Sequence, residues 1–271
     1  MLDSKKYINL INYLKDMKKV ILAFSGGVDS TFLLKVSKET LGNNIKAITI
    51  QSPYIPKWEI EEAKHLASQL GIEHEIIEIP IINEIKKNPK DRCYLCKKAV
   101  FDIIKSKAEE QEYNYVIDGT NFDDIGDYRP GLKALKELNI RSPLLECKLT
   151  KEEIRDLSKE LGLDTWNKPS YACLLTRIPY GDELKVEDFI KIEAAEKYMM
   201  KIGFRAVRVR CHGNLARIEV EPADREKLFH NTILDNISKE FKKVGFKYVT
   251  LDLEGYRMGS FNETLSKNTQ L

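Results

Sequence analysis

The chain has 271 residues, enough for one large domain or two moderate ones and for a core that needs no staples. Charges are plentiful but balanced, 44 basic against 42 acidic, so net charge gives no argument for a nucleic-acid or membrane partner. The N-terminal stretch MLDSKKYINLINYLKDMKKV has its apolar runs interrupted by charge and carries no small-residue cleavage site, no run approaches the length of a membrane span, and the five cysteines are an odd number, so a reducing cytoplasm is expected.

Tyr7, Leu10, Ile11 and Leu14 place one apolar face on a helix over about residues 3–18. Val20 to Phe24 is a short apolar run that reads as a buried strand. It breaks into Ser25-Gly26-Gly27-Val28-Asp29-Ser30 and continues through Phe32, Leu33 and Val36 at helical spacing. Ile45 to Ile50 is a second strand, ending in the loop Gln51-Ser52-Pro53-Tyr54-Ile55-Pro56. A helix marked by Ile60, Ala63, Leu66, Ala67 and Leu70 follows, and Glu73 to Ile79 is a third strand. The polar stretch Asn88 to Cys96 reads as a loop carrying two thiols, before a helix with Val100, Ile103 and Ile104. Tyr115 to Asp118 is a fourth strand ending in Gly119-Thr120-Asn121, and Asp123, Asp124 and Asp127 crowd the next loop. A short helix spans about Leu132 to Leu138, Ser142 to Leu145 reads as a short fifth strand, and Thr150 with Glu153 forms a capping box that opens another helix.

Strands alternating with helices predict an α/β fold, a doubly wound parallel sheet. Such sheets bind ligands at the carboxyl ends of their strands, so the Ser25, Ser52, cysteine and Gly119 loops should share one edge. The pattern changes after Trp166. The predicted organisation is a sheet domain over 1–168, an irregular hinge over 169–182, and a smaller α+β domain over 183–271. The last contains a helix over about Lys185 to Ile202, paired strands over Ala206–Cys211 and Leu215–Val220, two helical stretches, and a strand over Tyr248–Leu253.

A strand, a glycine turn and a helix N-terminus in that order make an anion site, because glycine lets the backbone approach a ligand and the first helical N–H groups lack intrahelical partners. The turn is not the common ATPase loop, which requires G-x-x-x-x-G-K-[ST]. It resembles the S-G-G-x-D-S loop of the ATP pyrophosphatases, which holds the pyrophosphate released when ATP is split at its α-phosphate. ATP-binding residues are then Ser25, Gly26, Gly27, Val28, Asp29 and Ser30, with Ser52 and Gly119 from the neighbouring loops. Asp29 would face phosphates, which a carboxylate does only with a cation between, so it is the candidate Mg²⁺ ligand. Asp123, Asp124 and Asp127 are further cation candidates, set against a plain solvated acidic loop.

Cys93 and Cys96 form a C-x-x-C pair, which is open among zinc, a redox pair and an iron–sulfur cluster. Four-ligand structural zinc would want a second such pair, which the sequence lacks. Three thiols could instead hold a [4Fe–4S] cluster with one iron left open. The third is Cys147, Cys173 or Cys211; Cys173 lies in the predicted hinge, and the other two read as buried, inert thiols. Among the late basic residues, Arg208 and Arg210 share one strand face and with Arg177 suit a phosphate or carboxylate ligand, against the alternative of a solvated edge.

The longer strings are narrower than the loop. Asn88-Pro89-Lys90-Asp91-Arg92-Cys93, Asp118-Gly119-Thr120-Asn121, Asp127-Tyr128-Arg129-Pro130-Gly131, Lys168-Pro169-Ser170-Tyr171-Ala172-Cys173, Thr176-Arg177-Ile178-Pro179-Tyr180-Gly181 and Ala216-Arg217-Ile218-Glu219 together resemble the LarE family along nearly the whole chain. The resemblance implies a cytoplasmic, ATP-dependent sulfur transferase acting on pyridinium-3,5-biscarboxylic acid mononucleotide in the making of the nickel-pincer cofactor of lactate racemase. It implies an acyl-adenylate, release of pyrophosphate, replacement of AMP by sulfur from a sulfur donor, and a homo-oligomer, a hexamer. Arg177, Arg208, Arg210 and Glu196 become candidates for binding the anionic substrate. Some members sacrifice the sulfur of a cysteine matching Cys173; others have two further cysteines and hold a [4Fe–4S] cluster. Cys93, Cys96 and Cys173 together resemble the cluster type. The competing readings are a tRNA-thiolating enzyme, which should show a basic surface, and a non-catalytic nucleotide-binding protein.

Overall fold

The structure is a computed structural model that describes residues 2–126, 130–169 and 171–257. Asp127, Tyr128, Arg129 and Ser170, named above in the motif strings and, for Asp127, as a cation candidate, lie outside the described residues. The chain divides into two compact units: Met1–Ile85 with Lys90–Ser170, and Lys86–Pro89 with Tyr171–Leu271.

The first unit runs α1 (Lys5–Met17), β1 (Val20–Ala23), α2 (Val28–Leu41), β2 (Ile45–Gln51), α3 (Lys57–Gln69), β3 (Glu73–Glu78), α4 (Arg92–Glu110), β4 (Tyr115–Ile117), α5 (Gly131–Glu137), α6 (Pro143–Glu146) and α7 (Lys151–Glu160). The four strands are parallel in the order β3-β2-β1-β4. Their apolar residues alternate between the faces. Val20, Leu22, Ile45, Ala47 and Ile117 pack in one cluster with residues of α1, α2, α3 and α7. Ile21, Ile48, Ile50 and Val116 pack in another with Phe101, Ile104 and Ala108 of α4 and Leu135 of α5. The layering follows from handedness. Steps from β1 to β2 to β3 move one way along the sheet, and the return from β3 to β4 moves the other way. Right-handed crossovers therefore put α2 and α3 on one face and α4 on the opposite one. The strand order reverses between β1 and β4, so the loops leaving these two strands flank the switch point where such sheets hold ligands.

Two expectations are corrected. Ser142 to Leu145 is not a strand. Pro143 opens the short helix α6 at its first position, where a missing N–H costs nothing, and only Arg141 makes a bridge, to Ile117. Cys93 and Cys96 are not on a loop either. α4 starts at Arg92, with the Asp91 carbonyl already accepting from Tyr94 and Leu95, so both thiols sit in its first turns. The capping box at Thr150 and Glu153 is present with both reciprocal bonds.

The second unit holds α8 (Val186–Lys201), the antiparallel pair β5 (Val207–His212) and β6 (Leu215–Val220), α9 (Asn231–Lys243), and β7 (Tyr248–Leu251) parallel to β6. Phe189, Ile192, Ala195 and Met199 recur at helical spacing along α8 and are buried, and α8 packs on β5. Residues 174–177, within the predicted hinge, form a short 3₁₀ turn. Lys86–Pro89 joins this unit through hydrogen bonds. Asn88 is fully buried at φ 43°, and its side-chain amide donates to the carbonyls of Ile178 and Pro179, 2.8 Å each. Its own carbonyl accepts from Gly181, and the Lys86 carbonyl accepts from Leu184. Asn88→Ala leaves the buried Ile178 carbonyl and the part-buried Pro179 carbonyl without that donor and should lower stability by about 1–3 kcal/mol, read as a lower denaturation midpoint in urea.

Candidate active site

The loop between β1 and α2 is shaped by close approach. Gly26 has φ 68°, and a Cβ there would meet the Ala63 side chain of α3 at 3.2 Å, so both backbone and space require glycine. Gly27 is the N-cap of α2 and, having no side chain, leaves the first N–H groups of the helix uncapped and facing forward. The Ser25 and Ser30 hydroxyls are 3.0 Å apart, Ser30 donates to the Gly27 carbonyl, and the Gly27 N–H points at Ser25 Oγ, 3.4 Å away. Ser25, Gly27, Val28 and Ser30 thus ring a small polar mouth at the positive end of a helix dipole.

β4 delivers the other wall. A Cβ on Gly119 would lie 3.0 Å from the Ser30 nitrogen, so a side chain here would press on the first turn of α2. Two residues on, Asn121 is fully buried and its side-chain amide donates to Asp29 Oδ2 at 3.0 Å. Burial pushes the Asp29 carboxyl above its ordinary range; the Asn121 bond opposes this, and the negative Asp124 nearby adds to it. A half-buried carboxylate on the same helix turn as the Ser30 hydroxyl is a hard-oxygen donor set that suits Mg²⁺, whose charge would also offset the cost of keeping Asp29 ionised. Asp123 and Asp124 are used within the fold: Asp123 accepts from the Lys151 N–H at the start of α7, and Asp124 accepts from the Asn121 N–H and pairs with the Lys151 ammonium. Asp118, at the end of β4, is buried and accepts from the hydroxyls of Thr120 and Ser142, 2.6 Å each.

Beyond β2, Ser52 is buried and its hydroxyl has no hydrogen-bond partner among the described residues. At a strand's carboxyl end such a hydroxyl is available to a ligand. Tyr54 of the same loop places its hydroxyl 3.4 Å from Cys96 Sγ. Cys93 and Cys96 are three residues apart on a helix and therefore share a face; Cys93 is exposed, while burial pushes the Cys96 thiol up. Soft donors at this spacing suit zinc or an iron–sulfur cluster. Among the described residues, no three His, Cys, Asp or Glu side chains gather into a metal site, so the pair by itself offers two ligands. Burial pushes both Cys147 and Cys211 up to about 11, which makes each a poor thiolate at neutral pH.

In the second unit, Cys173 is half-buried and caps the 3₁₀ turn that carries Arg177. The four substrate candidates form one buried array, not a solvated edge. Arg177, 2 % exposed, grips Glu196 through two bonds of 2.8 and 3.0 Å. Glu196 also accepts from the Val209 N–H on the outer edge of β5. Arg210 forms a matching fork with Glu219 on β6 at 2.8 and 2.7 Å and donates to the Thr176 carbonyl. Arg208 lies between, over the Tyr256 ring, and burial together with the Arg177 charge lowers its pKa.

The NAD synthase family profile matches residues 4–111, the stretch that contains the serine–glycine loop. Pyridinium-3,5-bisthiocarboxylic acid mononucleotide synthase of Lactiplantibacillus plantarum is 38% identical over 97% of this chain and 95% of its own length. The chain belongs to the LarE family. A protein of Synechocystis sp. is 43% identical over 98% of this chain and 100% of its own length. A glutamine-hydrolyzing GMP synthase subunit from Thermoplasma volcanium is 28% identical over 59% of this chain and 56% of its own length.

Asn121 in the first unit and Glu219 in the second hold candidate residues in place; the motif strings contain both, but residue-type reasoning passed over them. A polar run directly after a strand, Asp118-Gly119-Thr120-Asn121, was the available signal for the first. Pairing of Glu219 with Arg210 needed the strand register, in which Glu219 lies opposite Arg208, one step along from Arg210. Gly119→Ala should push on the first turn of α2 and lower stability by about 1–3 kcal/mol, measured by chemical denaturation; an unchanged midpoint would mean that the two loops separate freely.

Proposed function

We propose that this protein is an ATP-dependent sulfur transferase that converts a carboxylate of pyridinium-3,5-biscarboxylic acid mononucleotide to a thiocarboxylate, releasing AMP and pyrophosphate. The observation that carries the reading is the serine–glycine loop at the sheet's switch point, in a chain similar over its whole length to a synthase of the bisthiocarboxylic acid mononucleotide. A carboxylate accepts sulfur poorly until one of its oxygens becomes a good leaving group. In the proposed first step, the substrate carboxylate oxygen attacks the α-phosphorus of ATP and the bond to the departing pyrophosphate breaks. Negative charge then grows on the leaving phosphates. The uncapped N–H groups of α2, the hydroxyls of Ser25 and Ser30, and Mg²⁺ held by Asp29 would take up that charge. In the second step a sulfur nucleophile forms the C–S bond and AMP leaves with the electron pair of the C–O bond. Adenylation does the electronic work, and the protein's task is to hold the reactants in line and keep water from intercepting the adenylate.

Cys93, Cys96 and Cys173 are the proposed ligands of a [4Fe–4S] cluster. Bound by three thiolates, such a cluster leaves one iron open and supplies a carrier for sulfur. Arg177, Arg208 and Arg210 are the proposed cations for the substrate's phosphate and carboxylates. Glu196 and Glu219 hold two of the three guanidinium groups in fixed planes, which suits bidentate recognition of an oxyanion.

Pyrophosphate release from ATP should depend on added pyridinium-3,5-biscarboxylic acid mononucleotide. Release that is absent with this and any other candidate carboxylate would return the protein to the class of non-catalytic nucleotide binders, and release equal without the substrate would overturn its assignment as the acceptor. Purified without oxygen, the wild type should contain iron and acid-labile sulfide. Cys93→Ala, Cys96→Ala and Cys173→Ala should each lose them, while Cys147→Ala and Cys211→Ala keep them. Full iron content in Cys173→Ala would overturn the three-thiol assignment.

A further inference from the structure

Lys168 lies far along the chain from the serine–glycine loop, yet within the first unit its ammonium donates to the Gly26 carbonyl at 2.9 Å. It also pairs with Glu62 of α3 at 2.7 Å, and its side chain is only 13% exposed. The base of this side chain is fixed on both sides. The Lys168 N–H donates to the Thr165 carbonyl, and the Lys168 carbonyl accepts from Arg155 of α7 at 2.9 Å. The lysine is therefore a brace from a pinned segment onto one particular peptide group.

That peptide group is the one whose direction matters. In a trans peptide the carbonyl of one residue and the N–H of the next point in opposite directions. Drawing the Gly26 carbonyl outward onto Lys168 turns the Gly27 N–H inward, toward Ser25 Oγ and the ring it makes with Ser30. A diglycine segment has little intrinsic preference to hold this orientation, since Gly26 can take φ of either sign. With the peptide flipped, a carbonyl oxygen would face the anion in place of a donor. The ammonium also leaves its positive charge just behind the loop, where it favours an anion without occupying the anion's place.

We propose that Lys168 is a positioning residue of the pyrophosphate-holding loop: it fixes the Gly26–Gly27 peptide so that the Gly27 N–H faces the phosphates. The inference rests on the reading of that loop as an ATP site. Nothing in the spacing of residues announces it, because the partner of Lys168 is a backbone carbonyl distant in sequence.

The test uses the full-length protein and three variants: Lys168→Met, which keeps the length of the stem, Lys168→Arg, which keeps the charge and the donors, and Glu62→Gln, which removes only the counter-charge. Calorimetry with Mg·ATP and with Mg²⁺ and inorganic pyrophosphate should show roughly 10- to 100-fold weaker binding for Lys168→Met, the range expected for losing a hydrogen bond to a charged group. Lys168→Arg should recover most of it, and Glu62→Gln should keep it. In the nucleotide-free protein, hydrogen exchange over residues 25–30 should be faster in Lys168→Met while exchange in β2 and β4 stays as in the wild type, which separates a loosened loop from an unfolded domain. Binding by Lys168→Met equal to the wild type would overturn the inference. So would weakened binding with unchanged exchange in the nucleotide-free protein, because that pattern belongs to a lysine that touches phosphate directly. A wild type that binds neither ATP nor pyrophosphate would overturn the loop reading itself, and the role of Lys168 with it.

Discussion

The meeting of the β1 and β4 loops governs the first unit. Gly119 sits so close to Ser30 that one methyl group would collide with the helix backbone, and Asn121 reaches across to Asp29. This proximity is a product of topology. The chain builds its sheet outward from β1 to β3, then crosses behind it to lay β4 against the free edge of β1. Right-handed crossovers cover the faces of the sheet with helices, so the opening at the reversal brings together a helix N-terminus, the half-buried Asp29 carboxylate and two strand-end loops. Polar groups gathered there are largely paired with one another, while the Ser52 hydroxyl beyond β2 has no partner among the described residues.

The second unit meets a different demand. Three arginines are nearly withdrawn from water on or beside β5, and burying such charges is costly unless they are paired and hydrogen-bonded. Glu196 and Glu219 supply that pairing. The pairs fix the planes of two guanidinium groups, while the array of Arg177, Arg208, Arg210, Glu196 and Glu219 keeps one positive charge in excess. Burial, with the Arg177 charge beside it, lowers the pKa of Arg208, and a bound anion would oppose that shift. In the proposed function, a substrate rich in phosphate and carboxylate answers this excess charge.

Legibility in the sequence followed the range of the interactions. The serine–glycine loop, the parallel strands and the Thr150–Glu153 capping box are set by neighbours a few residues apart, and their patterns could be read directly. Ser142 to Leu145 misled because four residues with two leucines carry no period; Pro143 decided for a helix. The thiols were misplaced because Asn88-Pro89 looks like loop chemistry, and the helix begins only three residues after Pro89. Asn88, Lys168 and Glu219 were invisible as site-builders for a shared reason. Their partners are backbone carbonyls or side chains fixed by tertiary register, and no local pattern encodes a carbonyl's position. The assignment of Lys86–Pro89 to the second unit has the same origin, since it is made by hydrogen bonds to residues 178–184.

The proposed activation and sulfur delivery ask opposite things of a protein surface. Pyrophosphate departure calls for hard donors: oxygen ligands, backbone N–H groups and a divalent cation. Sulfur handling calls for soft donors, and a thiolate placed among carboxylates would be protonated by their field. Asp29 and its acidic neighbours lie toward β4, whereas Cys96 contacts Tyr54 in the loop that leaves β2, on the other side of β1. Lys97, the neighbour of Cys96, pairs with Asp118 at the end of β4, so the two candidate sets are joined by an ion pair. The thiols set outside this arrangement are Cys147 and Cys211. Burial, helped by Glu146 beside Cys147 and by Asp188 beside Cys211, pushes these two thiols up. Burial pushes the Cys96 thiol up as well, but there the Tyr54 hydroxyl and, more weakly, Lys97 work against it.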